Sequence, residues 1–156
     1  MALTKNVNSY VTVAEADAYL ADQLGAEAWL STSEEDKAKA LITATGLVDS
    51  LTYLGYVESD SQTLAFPRVG EFFDPKLGRT VSFGTGVPSR ILNAVCDTAI
   101  HLLVNPVDDG MSVDSIKIDV IEIKGIRRSS TLSSKAFKEL KPYIQGGGGN
   151  VWWRAN

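Results

Sequence analysis

Between Leu54 and Gly86 run more than thirty residues that hold seven glycines or prolines and show no helical period, and this stretch divides two long apolar segments that do show one. A helix cannot continue through such a sequence, so the segments on either side have to meet by packing. A connection of this length inside a small domain carries structure or function of its own. Within it, Glu71–Phe73 and Thr80–Phe83 are spaced to pair as a hairpin across Asp74–Arg79.

The helical segments have clear starts. Thr12 and Glu15 stand three apart, as a capping box requires, and Val13, Ala16, Leu20 and Leu24 follow at helical spacing up to a stop at Gly25. A second helix is capped by Thr32 with Glu35 or by Ser33 with Asp36, and Leu41, Ala44, Val48 and Leu51 give it a wide apolar stripe. A third carries Pro88 near its first turn and presents Leu92, Val95, Cys96, Ala99, Leu102 and Leu103 as its packing face. Phe137, Leu140 and Ile144 mark a short last helix. The expected fold is mainly α: a small helical bundle, residues 1–113, with a long inter-helix loop over 55–87. It carries a projecting β-hairpin arm over 114–132, a short C-terminal helix over 133–145 and a flexible Gly-rich tail over 146–156.

Two regions look adhesive. Ile116, Ile118 and Val120 are apolar on even positions, after which Ile121 and Ile123 are apolar on odd ones. Successive strand side chains point to opposite faces, so this flip implies a bulge or an arm whose two halves bury opposite faces, an arrangement that neighbouring subunits could cover. Arg127 and Arg128 follow, placed to contact phosphate or acidic groups or to guard a strand edge. At the end of the chain, QGGGGN precedes Trp152, Trp153 and Arg154. Such a tether reaches about 20 Å when extended, and it carries two large amphipathic rings.

Charge is divided along the chain. Residues 1–113 hold seven Lys/Arg against fifteen Asp/Glu, net −8, and residues 114–156 hold eight against four, net +4. An acidic body with a basic C-terminal third favours head-to-tail association or docking on an acidic partner. The chain offers little for catalysis. His101 stands four residues after Asp97 on the third helix with no nucleophile beside it, and one histidine and one cysteine, Cys96, cannot fill a structural zinc site or close a disulfide. No enzyme activity, cofactor or metal is expected. The opening MALTKNVNSYVTV lacks the basic start and apolar run of a secretory signal, and no stretch has the length of a membrane span, so synthesis in the cytoplasm and no membrane partner are expected. In LAFPRVG, Pro67 biases Phe66 toward an extended conformation, so that Phe66 and Arg68 project to different sides and anchor the long loop.

SYVTVAEADAYL, the Leu-Ala-Phe-Pro-Arg stretch and GVPSRILNA leading into a helix together resemble the head-to-tail adaptor proteins of tailed bacteriophages, some of which are labelled DnaT-like single-stranded-DNA-binding proteins. The likeness covers roughly residues 8–104, with Phe66 where such proteins often have Trp. The resemblance implies a dodecameric ring under the capsid portal in the neck of the virion, joining head to tail. Its partners would be the portal protein, neighbouring copies, a downstream tail component and double-stranded DNA passing through the channel. Trp152, Trp153 and Arg154 would dock on the portal or an adjacent subunit, and the arm would join subunits. The alternative function is a single-stranded-DNA-binding module, in which those residues with Arg127 and Arg128 supply stacking and charge.

Overall fold

The computed structural model describes residues 2–105 and 132–146. Among these residues the chain is mainly helical, with five helices and two small antiparallel hairpins: α1 (Val13–Ala21), α2 (Glu27–Leu30), α3 (Glu34–Asp49), β1 (Tyr56–Val57), β2 (Arg68–Val69), β3 (Glu71–Asp74), β4 (Arg79–Ser82), α4 (Ser89–Val104) and α5 (Ser134–Leu140). The arm over 114–132, apart from Leu132, and the tail beyond Gly146 lie outside the described residues, and with them Ile116, Ile118, Val120, Ile121, Ile123, Arg127, Arg128, Trp152, Trp153 and Arg154.

Local chemistry sets the helix starts. At α1 the Thr12 hydroxyl accepts from the Glu15 N–H at 3.2 Å while the Glu15 carboxylate accepts from the Thr12 N–H at 2.8 Å, so two N–H groups that the helix leaves orphaned are satisfied reciprocally. Of the two cap pairs open at α3, Ser33 with Asp36 is the one used, the Ser33 hydroxyl accepting from the Asp36 N–H at 3.2 Å. Ser133 caps α5 in the same way. The first helix stops earlier than its apolar spacing predicts: it ends at Ala21, and Leu24 is fully exposed beside Gly25, whose φ of +83° breaks the stripe.

Helix α4 is the centre of the body, packing most extensively on α3 and α5. Covered from both sides, it buries Ile91, Ala94, Val95, Cys96, Asp97, Thr98 and Ala99, whereas Leu92, Leu102 and Leu103 are only half-buried. The predicted face holds at Val95, Cys96 and Ala99, with Leu92, Leu102 and Leu103 packed against the core at its margin. The buried face is wider than predicted and adds Ile91, Ala94, Asp97 and Thr98, small residues among them allowing close approach.

The long connection is structured. Strands β3 and β4 pair as expected, with Phe72 opposite Val81 and Phe73 opposite Thr80. A second hairpin pairs Tyr56 with Val69 and Val57 with Arg68. Its backbones cross at Gly55 and Gly70, where φ is +71° and +134°; a Cβ on Gly55 would run into the Val69 carbonyl, and one on Gly70 would sit 2.9 Å from the Gly55 Cα.

Phe66 pins this region to the body. Its ring is 2% exposed and meets Tyr53 edge-on at 4.8 Å, with Tyr10, Phe83 and Tyr143 at 6.0–6.3 Å. The Phe66–Pro67 bond is cis. Backbone bonds reinforce the anchor: the Tyr10 hydroxyl donates to Asp49 and accepts from the Phe66 N–H at 3.1 Å, and Asp49 accepts from the Ala65 N–H at 2.8 Å. Arg68 does not project away from Phe66 as expected: its guanidinium lies over the Phe66 ring, 6.0 Å from the centroid, and donates to the carbonyls of Gly55 at 2.7 Å, Leu54 at 2.8 Å, Ala65 at 3.2 Å and Tyr53 at 3.4 Å. One planar fork thus closes the base of β1 and β2.

Candidate nucleic-acid interface

Binding a single strand requires cations free to meet phosphate and aromatic faces free to stack on bases. Most cations of the described residues are already engaged. Lys5 pairs with Glu15, Lys37 with Asp17 at 2.9 Å, Lys39 with Glu35 at 2.8 Å, Lys135 with Asp97 at 2.8 Å and Arg90 with Glu139 at 3.8 Å, while Arg68 is committed to backbone carbonyls.

Lys76, Arg79, Lys138 and Lys141 are exposed and have no partner among the described residues. Two of them rise from α5 for a simple reason. Ala136, Phe137 and Leu140 face α4 and are buried, so the outer side presents Lys138 and, just past the helix end, Lys141. The other two sit at the tip of the β3–β4 hairpin, where the Asp74 carboxylate accepts from the Lys76 N–H at 2.8 Å and shapes the turn.

Aromatic surface lies on the same hairpins. Phe73 is 52% exposed and Tyr56 65% exposed, on the outward faces of β3 and β1. Alternation puts Phe72 on the inward face, where its ring lies 4.7 Å from that of Tyr143. Tyr143 follows Lys141 by two residues, so the hairpin and the lysine-bearing segment are packed neighbours. These groups were not singled out by sequence reasoning. The signal was present in the three-residue spacing of Lys135, Lys138 and Lys141 against Phe137 and Leu140, but it is short.

At the other end of α5 from Tyr143, α1, α4 and α5 line an open cleft of about 250 Å³ that includes Leu20, Gln23, Ile100, His101, Asn105 and Lys135. At its base the expected surface pair of His101 and Asp97 is replaced by a different arrangement. Asp97 is 4% exposed and accepts from the Lys135 ammonium at 2.8 Å and from the Tyr19 hydroxyl at 3.4 Å. His101 meets the Asn105 side chain at 3.3 Å instead. A carboxylate this deep needs a cation, and the cation arrives from α5 rather than from its own helix. Burial alone would lower the Lys135 ammonium, but its hydrogen bonds to Asp97 and Tyr19 outweigh that and hold it above the usual lysine range. Cys96 is buried, and burial pushes its thiol up to about 12.

The model of one protein family, described as "Putative DnaT-like ssDNA binding protein", matches residues 2–155. No curated protein and no solved structure matches the chain. The family match overturns the reading of the chain as a portal adaptor joining phage head to tail. The motifs behind that reading have another explanation: Thr12 and Glu15 cap α1, Phe66 fills the core and Pro88 opens α4, so they report how the chain folds and carry no information about a portal. The same match covers the body, both hairpins and nearly all of the tail. The chain belongs to this DnaT-like family.

Proposed function

We propose that the protein is a non-enzymatic module that binds single-stranded DNA without sequence preference. Family membership over residues 2–155 is the observation that carries this reading. The surface chemistry supports it: Lys76, Arg79, Lys138 and Lys141 are exposed and without a partner among the described residues, so they can meet phosphates, and Phe73 and Tyr56 offer faces on which bases can stack. The body's net negative charge keeps non-specific affinity for duplex low and confines attraction to this surface.

The test is fluorescence anisotropy with a labelled oligothymidylate and, in parallel, a duplex of equal length, at low salt. Binding of the single strand in preference to the duplex is expected. Equal binding of both, or binding of neither, overturns the proposal.

A further inference from the structure

We propose that the cleft between α1, α4 and α5 receives one unstacked base of the bound strand; this rests on single-stranded DNA being the ligand. Three features of the cleft favour a base over any other part of the strand. Its walls include Leu20, Ile100 and Val104, so a flat apolar ring gains from leaving water there. Its volume of about 250 Å³ gives room for a single ring system.

Its polar groups are complementary to a base edge. The Gln23 carbonyl oxygen is taken by Lys135 at 3.0 Å, which leaves the Gln23 amide nitrogen as a donor without a partner among the described residues. The Asn105 amide nitrogen is engaged by the His101 ring nitrogen and the His101 carbonyl, both at 3.3 Å, which leaves the Asn105 side-chain oxygen as an acceptor without a partner among the described residues. The second ring nitrogen of His101 can serve in either role. A donor and an acceptor thus both line one largely apolar cleft, as a base edge requires and a phosphate does not.

Charge points the same way. Lys135 and Asp97 neutralise each other at the base of the cleft, so it offers no net attraction to phosphate. The unpartnered lysines, Lys138 and Lys141, lie further along the same segment and outside the cleft lining. The backbone of the strand is drawn to those lysines while a base turns inward.

The test compares an oligothymidylate with an abasic oligomer of the same length, which carries the same phosphates and no bases, by anisotropy with the full chain. The intact oligomer should bind about tenfold more tightly. Val104→Trp, which fills the cleft from an exposed position, and Asn105→Ala, at the exposed end of α4, should each reduce that ratio several-fold while far-UV circular dichroism is unchanged. Phe73→Ala serves as the comparison, since it removes a stacking face elsewhere. If the intact-to-abasic ratio survives in both cleft variants, the cleft takes no base and the proposal falls while DNA binding stands. If the wild-type chain binds neither oligomer, the DNA reading falls and the base site with it.

Discussion

The Lys135 ammonium sits 2.8 Å from the Asp97 carboxylate, joining α5 to α4 across 38 residues of chain. Asp97 is buried while the Lys135 side chain is half exposed, so the pair is worth more than a surface bridge and less than a fully buried one. Replacing Lys135 by Met strands the carboxylate and should cost about 1–3 kcal/mol, read as a lower urea midpoint with unchanged slope. The folded pKa of Lys135 is raised, so its contribution is complete below the ordinary lysine value and disappears only as pH rises through the folded one. An unchanged midpoint in the Met variant would show that the pair does not hold α5 in place.

Arg68 donates to four backbone carbonyls that close the base of the β1–β2 hairpin. Lysine carries the same charge but cannot reproduce the planar fork. Arg68→Lys should therefore destabilise the protein by about 1–3 kcal/mol and speed amide exchange in residues 54–70 before other regions. Exchange that accelerates uniformly, or not at all, would contradict this role.

Asp17 bridges three helices, accepting from the Trp29 indole at 2.7 Å and from the Lys37 ammonium at 2.9 Å. Burial opposes its ionisation, yet these two bonds and the Lys37 charge prevail and hold the carboxyl below the usual range. A depressed folded pKa means stability that is present above the unfolded value and lost as pH falls through the folded one. The melting temperature should stay level from neutral pH to about pH 5 and then fall below about pH 4. Asp17→Asn should melt lower at neutral pH and lose less on acidification, and parallel curves for the two proteins would remove Asp17 from the account.

Cys96 is buried in α4, with its thiol pushed up to about 12 by burial. A buried thiol that remains protonated reacts slowly. Labelling by a thiol reagent at pH 8 should be negligible in the folded protein and stoichiometric in denaturant. Rapid labelling of the native state would mean that α4 opens readily or is packed differently.

Elements whose cause lies within a few residues were legible in the sequence. The Thr12–Glu15 box, the Ser33–Asp36 cap and the β3–β4 pairing all appear where spacing places them. Elements fixed by distant partners were not. Strands β1 and β2 are two residues each and exist because Gly55 and Gly70 let two backbones cross, which no periodicity announces. Asp97 reads as a surface residue until Lys135 arrives from α5. The face of α4 was read too narrowly for a related reason, since helices on two sides also bury Ile91, Ala94, Asp97 and Thr98, which a one-sided stripe leaves out. Of the site, the anchoring by Phe66 was visible from the proline that follows it, whereas Lys138 and Lys141 become conspicuous only once the other cations are seen to be engaged.

Affinity for a single-stranded oligothymidylate, measured across a series of salt concentrations for the wild type and for the double variant Lys138→Glu, Lys141→Glu, tests the central claim most directly. The account predicts that the logarithm of the wild-type binding constant falls linearly with the logarithm of salt concentration, by about 0.7 for each phosphate neutralised, and that the variant binds more weakly with a shallower slope. Wild-type binding that is absent at low salt, or a variant with unchanged affinity and slope, would contradict it.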